Sequence, residues 1–370
     1  MHIEELSLRH FRNIQQQTLA LVPGTVVLRG QNAQGKTNVL EALYVAATGK
    51  SFRQAPPREM VQHDAAAARL DARFVRQGVR HDVQVDFAHG RRHVRIDGRG
   101  LRQRTKLLEV VNVVAFFPDD LRIVKGSPEE RRRFLDRTIA NHRPDFVDAT
   151  LAYNKALKSR NALLRSERAP DAQLLSIYDE QLIQHGDTLN RCRQDVLTSL
   201  QPYVDHVFSE VMGETAALHV SLDSGIHKET TNTEKFKETF EEALSSRRAI
   251  DRMRGNTTVG PHRADLVMSL SERPARSYGS QGQQRAIVLA LKLAEVQHLS
   301  AVLGTAPILL LDDVSSELDR RRTEILFKLV SKLKSQIWVS TTGSAPLPLP
   351  ENVQLFDVHA GEVQKVARST

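Results

Sequence analysis

The 370 residues carry 52 Lys and Arg against 44 Asp and Glu, a formal charge of +8, with 40% hydrophobic residues and one cysteine. At about 150 residues per domain the chain divides into two or three packed units, with enough apolar content for sizeable cores. No uninterrupted apolar run approaches the ~18 residues of a membrane span, the opening Met-His-Ile-Glu-Glu-Leu has no secretory h-region, and a lone Cys192 excludes an internal disulfide or a cysteine-based zinc site. The expected compartment is the cytoplasm, with no membrane partner.

Three stretches follow, 1–125, 126–250 and 251–370. In the first, Ile3, Leu6 and Leu8 predict an opening strand and Val26–Leu28 a second. Val39, Leu40, Leu43, Ala46 and Ala47 recur at helical spacing, with Gly49 as a stop. Leu70, Ala72 and Phe74, then Val83, Val85 and Phe87, then Val94 and Ile96, alternate as half-buried strands, with Asp97-Gly98 as a turn. The middle stretch reads almost entirely helical. Pro128 suits a first turn after Ser127; Leu174, Tyr178, Leu182, Leu189, Val196 and Leu200 predict a long helix or helical hairpin; Phe236, Phe240 and Leu244 predict another helix, with Thr233 as its cap. In the last stretch, helices at 286–299 and around Ile325–Leu333 alternate with strands at Pro307–Leu311 and Ile337–Val339, which argues a mostly parallel sheet.

The chemistry is concentrated at Gly30-Gln31-Asn32-Ala33-Gln34-Gly35-Lys36-Thr37, a complete P-loop pattern between an apolar strand and an amphipathic helix. Its glycines let the backbone amides face phosphates, and the helix N-terminus adds its positive dipole end. Lys36 would neutralise the β- and γ-phosphates of ATP, and Thr37 would offer a hydroxyl to Mg²⁺. A P-loop needs a partner carboxylate, and Ile308–Leu311 runs into Asp312-Asp313. Asp312 is expected to hold Mg²⁺ and Asp313 to polarise the attacking water. Ser280, Gly282 and Gln283 open the helix 286–299, and Ser316-Glu317-Leu318-Asp319 follows the acidic pair. Alone, Ser-x-Gly-Gln could be a helix cap. In this order it is a second anion site, spare within one subunit, which predicts that it caps the γ-phosphate held by another copy in a two-fold ATP sandwich.

The order of P-loop, long insertion, signature, acidic strand and Ser-x-Leu-Asp resembles the ABC-type ATPase heads of the SMC and RecN group. Phe11-Arg12-Asn13-Ile14, Phe117–Leu121, Val124–Pro128, Arg131–Asp136, Thr258–Arg263, Ser280–Arg285 and Leu310–Asp319 make the resemblance specific to the RecF family over essentially the whole chain. It implies an α/β fold: an ABC-type P-loop ATPase head, mixed and antiparallel β plus a parallel sheet with helices, holding an inserted mostly helical lobe. It also implies Arg12 and Asn13 at the nucleotide, and a recombinational repair protein that works with RecO and RecR to place RecA on single-strand gaps beside duplex DNA. Two departures bear on rate. Thr341-Thr342 stands where transporter-type heads carry a switch histidine, and the catalytic acid is the short Asp313. Both predict a weak ATPase in which ATP times dimerisation.

Between Arg69 and Lys106 eleven basic residues face four acids. The arginines fall on polar strand positions, which is either a solvated sheet face or a basic face for phosphates. With only Phe74 and Phe87 as aromatics there, duplex backbone contact is favoured over single-strand stacking, and the candidates are Arg76, Arg91, Arg92, Arg95, Arg99, Arg102 and Arg104. Arg131–Arg133 and Lys155, Lys158 and Arg160 are secondary candidates. The competing readings are an ABC transporter motor subunit and an SMC-like structural clamp.

Overall fold

A computed structural model describes residues 1–101, 105–166, 171–213, 217–226, 235–313, 319–343, 347–349 and 353–366. Two compact units emerge, one made of Met1–Asp120 with Leu289–Thr370, the other of Leu121–Val288.

The first unit opens with β1 (His2–Phe11), β2 (Ile14–Ala20), β3 (Thr25–Arg29) and α1 (Lys36–Thr48), followed by β4 (Ala67–Arg76), β5 (Val79–Ala88), β6 (Arg91–Ile96), β7 (Arg99–Gly100), α2 (Thr105–Val110) and β8 (Val113–Phe116). The second unit contains α3 (Arg122–Lys125), α4 (Pro128–Ala140), α5 (Pro144–Leu164), α6 (Ala172–Met212), β9 (Leu218–Asp223), α7 (Phe236–Arg254), β10 (Asp265–Leu270), β11 (Arg273–Pro274) and α8 (Ala275–Tyr278). Helix α9 (Gln281–Leu303) carries the chain back into the first unit, which ends with β12 (Ile308–Leu311), α10 (Arg320–Ser331), β13 (Ile337–Thr341), β14 (Val353–His359) and β15 (Glu362–Lys365).

An antiparallel sheet in the order β2-β1-β4-β5-β6-β7 and a second sheet in the order β15-β14-β3-β13-β12-β8 share one core in the first unit. The alternation read from the sequence holds: Leu70, Ala72 and Phe74 of β4 and Val83, Val85 and Phe87 of β5 are buried, together with Val39, Leu40, Leu43, Ala46 and Ala47 of α1. Strand β2 has no counterpart in the sequence reading. Its IQQQTLA pattern exposes four of its seven residues at a sheet edge, so little apolar signal marks it. In the other sheet β8, β12, β13, β3 and β14 are parallel and β15 alone is antiparallel. All four residues of β12 are buried, as expected for a strand covered on both faces.

The second unit departs from the expectation of an almost wholly helical insertion ending near 250. Strand β9 lies inside that stretch and pairs antiparallel with β10, which the sequence boundaries assign to the final stretch. Residues 251–288 are tied to the helices by buried ion pairs. Arg131 makes two bonds to Asp265, at 2.6 and 2.8 Å, and Arg132 Nη1 donates to the Ala264 carbonyl. Arg160, fully buried, donates to Asp179, Asp251 and Thr257. Arg193 grips Asp136 and the Pro261 carbonyl. The single helix α6 spans 41 residues, longer than its apolar stripe, and Thr233 lies outside the described residues.

Helix α9 has the length and composition to cross a membrane, with mean hydropathy 1.6 over its most apolar window, but 72% of that window is buried inside the protein. It also holds the buried Lys292, whose Nζ donates to the Ala115 carbonyl and lies 3.4 Å from Asp120. This is a core helix of the kind the sequence reading expected.

His262 sits in the tied segment. Tyr153 O–H donates to its Nδ1 at 2.7 Å, and its Nε2–H donates to the Thr257 carbonyl at 3.0 Å, a pattern satisfied by the neutral ring. Burial pushes its pKa down to about 4 from 6.5. Because the folded value lies below the unfolded one, this histidine adds nothing to lose above pH 6.5 and withdraws up to about 3 kcal/mol as pH falls toward 4. Thermal melting should therefore fall faster below pH 6.5 for the native chain than for His262→Gln, which keeps polar contacts without the titration. Parallel melting curves for the two down to pH 5 would refute this role.

Candidate functional site

The parallel register fixes the site. Leu311 pairs with Val339 and Val339 with Val27, so Asp312, just past the end of β12, lies level with Ser340 in β13, while β13 and β3 run on to the paired Thr341 and Arg29, where the P-loop begins. The loop leaves β3 at Gly30, where any Cβ would lie 2.3 Å from the Val358 carbonyl oxygen. It ends at Gly35, the N-cap of α1, whose first turn carries no acidic residue. Free amides at a helix start, with no acidic residue in that turn itself, give that end its positive dipole.

Lys36 Nζ folds back over the loop, donating to the Gly30 carbonyl at 2.7 Å and the Gln31 carbonyl at 2.8 Å. Burial lowers its pKa, and Asp313 and Asp312 oppose that fall. Thr37 Oγ1 donates to Asp312 Oδ1 at 3.0 Å, and Ser340 Oγ donates to the same oxygen at 2.6 Å. Asp313 N–H in turn donates to Ser340 Oγ at 2.9 Å, with Asp313 in the left-handed region at φ 49°. Burial raises the Asp312 pKa, while Ser340, Thr37 and Arg53 hold it down and Asp313 adds to the rise. A buried carboxylate beside a threonine hydroxyl is the hard oxygen donor set that suits Mg²⁺.

Arg12 and Asn13 form the two-residue turn between β1 and β2 and are brought against this loop. Asn13 Nδ2 donates to the Gln34 carbonyl at 3.2 Å, and its Oδ1 accepts from Asn38 at 2.8 Å. Arg12 makes two bonds to Glu41, at 2.9 and 2.8 Å, and a third to the Glu59 carbonyl. Glu41 is fully buried in α1 and also binds Arg53 and Ser51. Glu41, Arg53 and Ser340 were not singled out in the sequence. The available signal for Glu41 was one acid inside the apolar run Val39–Ala47; Ser340 carried none.

At the start of α9, Ser280 N–H donates to Gln283 Oε1 at 2.8 Å and Gln283 N–H donates to Ser280 Oγ at 3.2 Å. This reciprocal capping box is the local role that the sequence left open, and it holds Gly282 in the helix's first turn, where backbone amides have no intrahelical partner. Of the Ser-x-Leu-Asp turn, residues 316–318 lie outside the described residues; Asp319 caps α10 by accepting from Arg322 N–H at 2.9 Å.

The basic segment is not a uniform basic face. Cross-strand register lines up Glu5, Arg73 and Asp82 in one row and Ser7, Asp71, Gln84 and Arg95 in the next. Arg69 binds Asp71, Arg73 binds Asp82, Arg80 binds Glu4 and Arg95 binds Asp86. Arg76 is spent on the carbonyls of Leu108 and Glu109 and on Asn112. Arg92 pairs with Phe87 and falls on the core side of the sheet, where burial lowers its pKa. Arg91 and Arg99 are exposed and make no salt bridge among the described residues; Arg102 and Arg104 lie outside them. Of the secondary candidates, Arg131 and Arg160 are structural ion-pair centres.

Three comparisons bear on this geometry. The family model of the RecF/RecN/SMC N terminal domain matches residues 2–354. A DNA replication and repair protein RecF from Myxococcus xanthus is 38% identical, covering 98% of this chain and 97% of its own length, and one from Halalkalibacterium halodurans is 34% identical over 99% and 100%. A solved structure of the recombination mediator protein RecF with ATP, in the RecFOR pathway, superimposes with TM-score 0.90 at 30% identity over 99% of this chain and 98% of that one. An SMC head bound to the C-winged helix domain of ScpA shares the fold alone, with TM-score 0.59 at 15% identity over 99% and 97%.

Ser340→Ala removes the shorter of the two bonds that favour the ionised form of Asp312. Its pKa should rise further, and Mg²⁺-dependent nucleotide binding should weaken by about tenfold, more at a mildly acidic than at a mildly basic pH. Calorimetric titration showing equal affinity at both pH values would dismiss that role for Ser340.

Proposed function

The chain belongs to the RecF family of ABC-type ATPase heads, and from that premise we propose a DNA replication and repair protein whose grip on DNA is switched by ATP. The observation that carries the reading is the convergence of Lys36, Thr37, Asp312 and Ser340 at the ends of three parallel strands. Lys36 and the amides of residues 30–37 take the phosphates. Thr37 and Asp312 hold Mg²⁺, which would neutralise charge developing on the phosphate oxygens. Asp313 orients the attacking water, and a carboxylate this short, with Thr341 and Thr342 in place of a histidine, makes hydrolysis slow.

Ser280, Gly282 and Gln283 of a second copy close over the γ-phosphate, so ATP joins two chains. The capping box supports this by fixing the first turn of α9 before any ligand arrives. The dimer then binds duplex or gapped DNA and, with RecO and RecR, promotes RecA loading at single-strand gaps. The exposed Arg91 and Arg99, at the outer strands β6 and β7, are the favoured phosphate contacts; the ion-paired rows beside them are poor ones, because their charge is already neutralised. The transporter reading has no support in relatives matched over the whole chain.

Sedimentation with and without ATP and duplex DNA tests this directly. The native chain should form ATP-dependent dimers that bind DNA, Lys36→Met should stay monomeric, and a variant with Arg91→Ala and Arg99→Ala should dimerise yet bind DNA with a flatter salt dependence, the slope losing about one unit per lost phosphate contact. ATP-independent association of all three proteins would rule out the switch.

A further inference from the structure

The P-loop has a third neighbour besides its strand and helix. Gln34, the residue before the N-cap of α1, accepts at two oxygens from the turn between β14 and β15. Its Oε1 takes the Ala360 N–H at 2.7 Å, and its carbonyl takes the Gly361 N–H at 2.9 Å as well as Asn13 Nδ2 at 3.2 Å. The approach is close: Gly361 sits at φ +88°, and a Cβ there would lie 2.2 Å from the Asn13 carbonyl oxygen. The hairpin is anchored on both sides of this contact. Arg29 and Asp357 form a two-bond ion pair at 2.7 and 2.9 Å, and Gln17 exchanges two hydrogen bonds with Val363. The register of β14 on β3 ends at Asp357 and Arg29, so Ala360 and Gly361 lie past the paired strands and reach the loop itself.

We propose that the Ala360-Gly361 turn is a positioning latch for the P-loop, through which the C-terminal hairpin sets how tightly the phosphates of a nucleotide are held. The inference rests on the P-loop reading above. Two hydrogen bonds from the hairpin to Gln34, beside a third from Asn13, fix the loop's exit into α1, while Gly30 against Val358 fixes its entry. Both ends of the amide cradle are thus set by one hairpin. Since the cradle faces phosphates common to ATP and ADP, the latch acts on both alike. The turn is also the point from which a protein gripping the hairpin would loosen the site.

Binding of a fluorescent ATP and a fluorescent ADP to the full chain tests this, with Gln34→Ala, Gly361→Ala, their double variant and Gln17→Ala, which frees the hairpin away from the loop. Each of the first two should bind both nucleotides about five- to tenfold more weakly, one or two lost hydrogen bonds' worth. The double should lose less than the product of the two single losses, because both variants act on the same turn-to-loop contact. Gln17→Ala should keep native affinity, and melting of the nucleotide-free Gln34→Ala chain should stay within about 2 °C of native. Native affinity in Gln34→Ala, losses that multiply in the double, or loss that merely tracks a lowered melting temperature overturns the latch; should Gly361→Ala not fold, Gln34→Ala alone decides. A native chain that binds neither nucleotide, or Lys36→Met that binds as well as native, instead overturns the P-loop reading.

Discussion

The site depends on one buried carboxylate. Asp312 is 5% exposed, and taking an ionised carboxylate that far from water costs several kcal/mol unless it is partnered. The two hydroxyls of Thr37 and Ser340 share one of its oxygens, and Arg53 adds a favourable charge. These partners come from α1, β13 and the segment after α1, so the carboxylate is where the strand ends, the P-loop helix and the neighbouring loop are held to one another. The same arrangement leaves a hard oxygen site beside Lys36, through which, under the proposed reading, a cation would couple nucleotide to the fold.

A second constraint is how the chain handles its arginines. Most of the charge excess lies in one segment, yet the antiparallel register sets acids opposite bases there, and such cross-strand pairs stabilise the sheet by a few tenths of a kcal/mol each when exposed. In the second unit Arg131, Arg160 and Arg193 are buried and bind carboxylates from distant parts of the sequence, which holds 251–288 to the helices. Arginine therefore serves as a fastener in these rows, and Arg91 and Arg99, at the sheet's outer strands, are exposed and make no salt bridge among the described residues.

Much of this was legible from residues alone, for physical reasons. The P-loop, α1 and the acidic strand are local: a glycine-rich turn between an apolar strand and a helix has one geometry, and an apolar run ending in Asp-Asp has one place to put its acids once the sheet is parallel. Residues 70–87 alternate because one face of their sheet is buried. What was hidden depends on register or distant partners. Arg95 and Arg91 look alike in sequence, and only the pairing of β5 with β6 shows that Asp86 reaches the first. The unit boundary was misplaced because β9 pairs with a strand more than forty residues later. Glu41 and Ser340 act through partners that no short motif connects, and the Ala360-Gly361 turn meets Gln34 across more than three hundred residues.

The central claim is that a triphosphate is shared between the P-loop of one copy and the start of α9 in another. A structure of the chain with Mg²⁺ and a non-hydrolysable ATP analogue tests it most directly. The account predicts two-fold dimers with the γ-phosphate flanked by Lys36 of one copy and by Ser280 and Gly282 of its partner. An analogue seated on the P-loop with Ser280 and Gly282 remote from every γ-phosphate, in all arrangements of the copies, would contradict it.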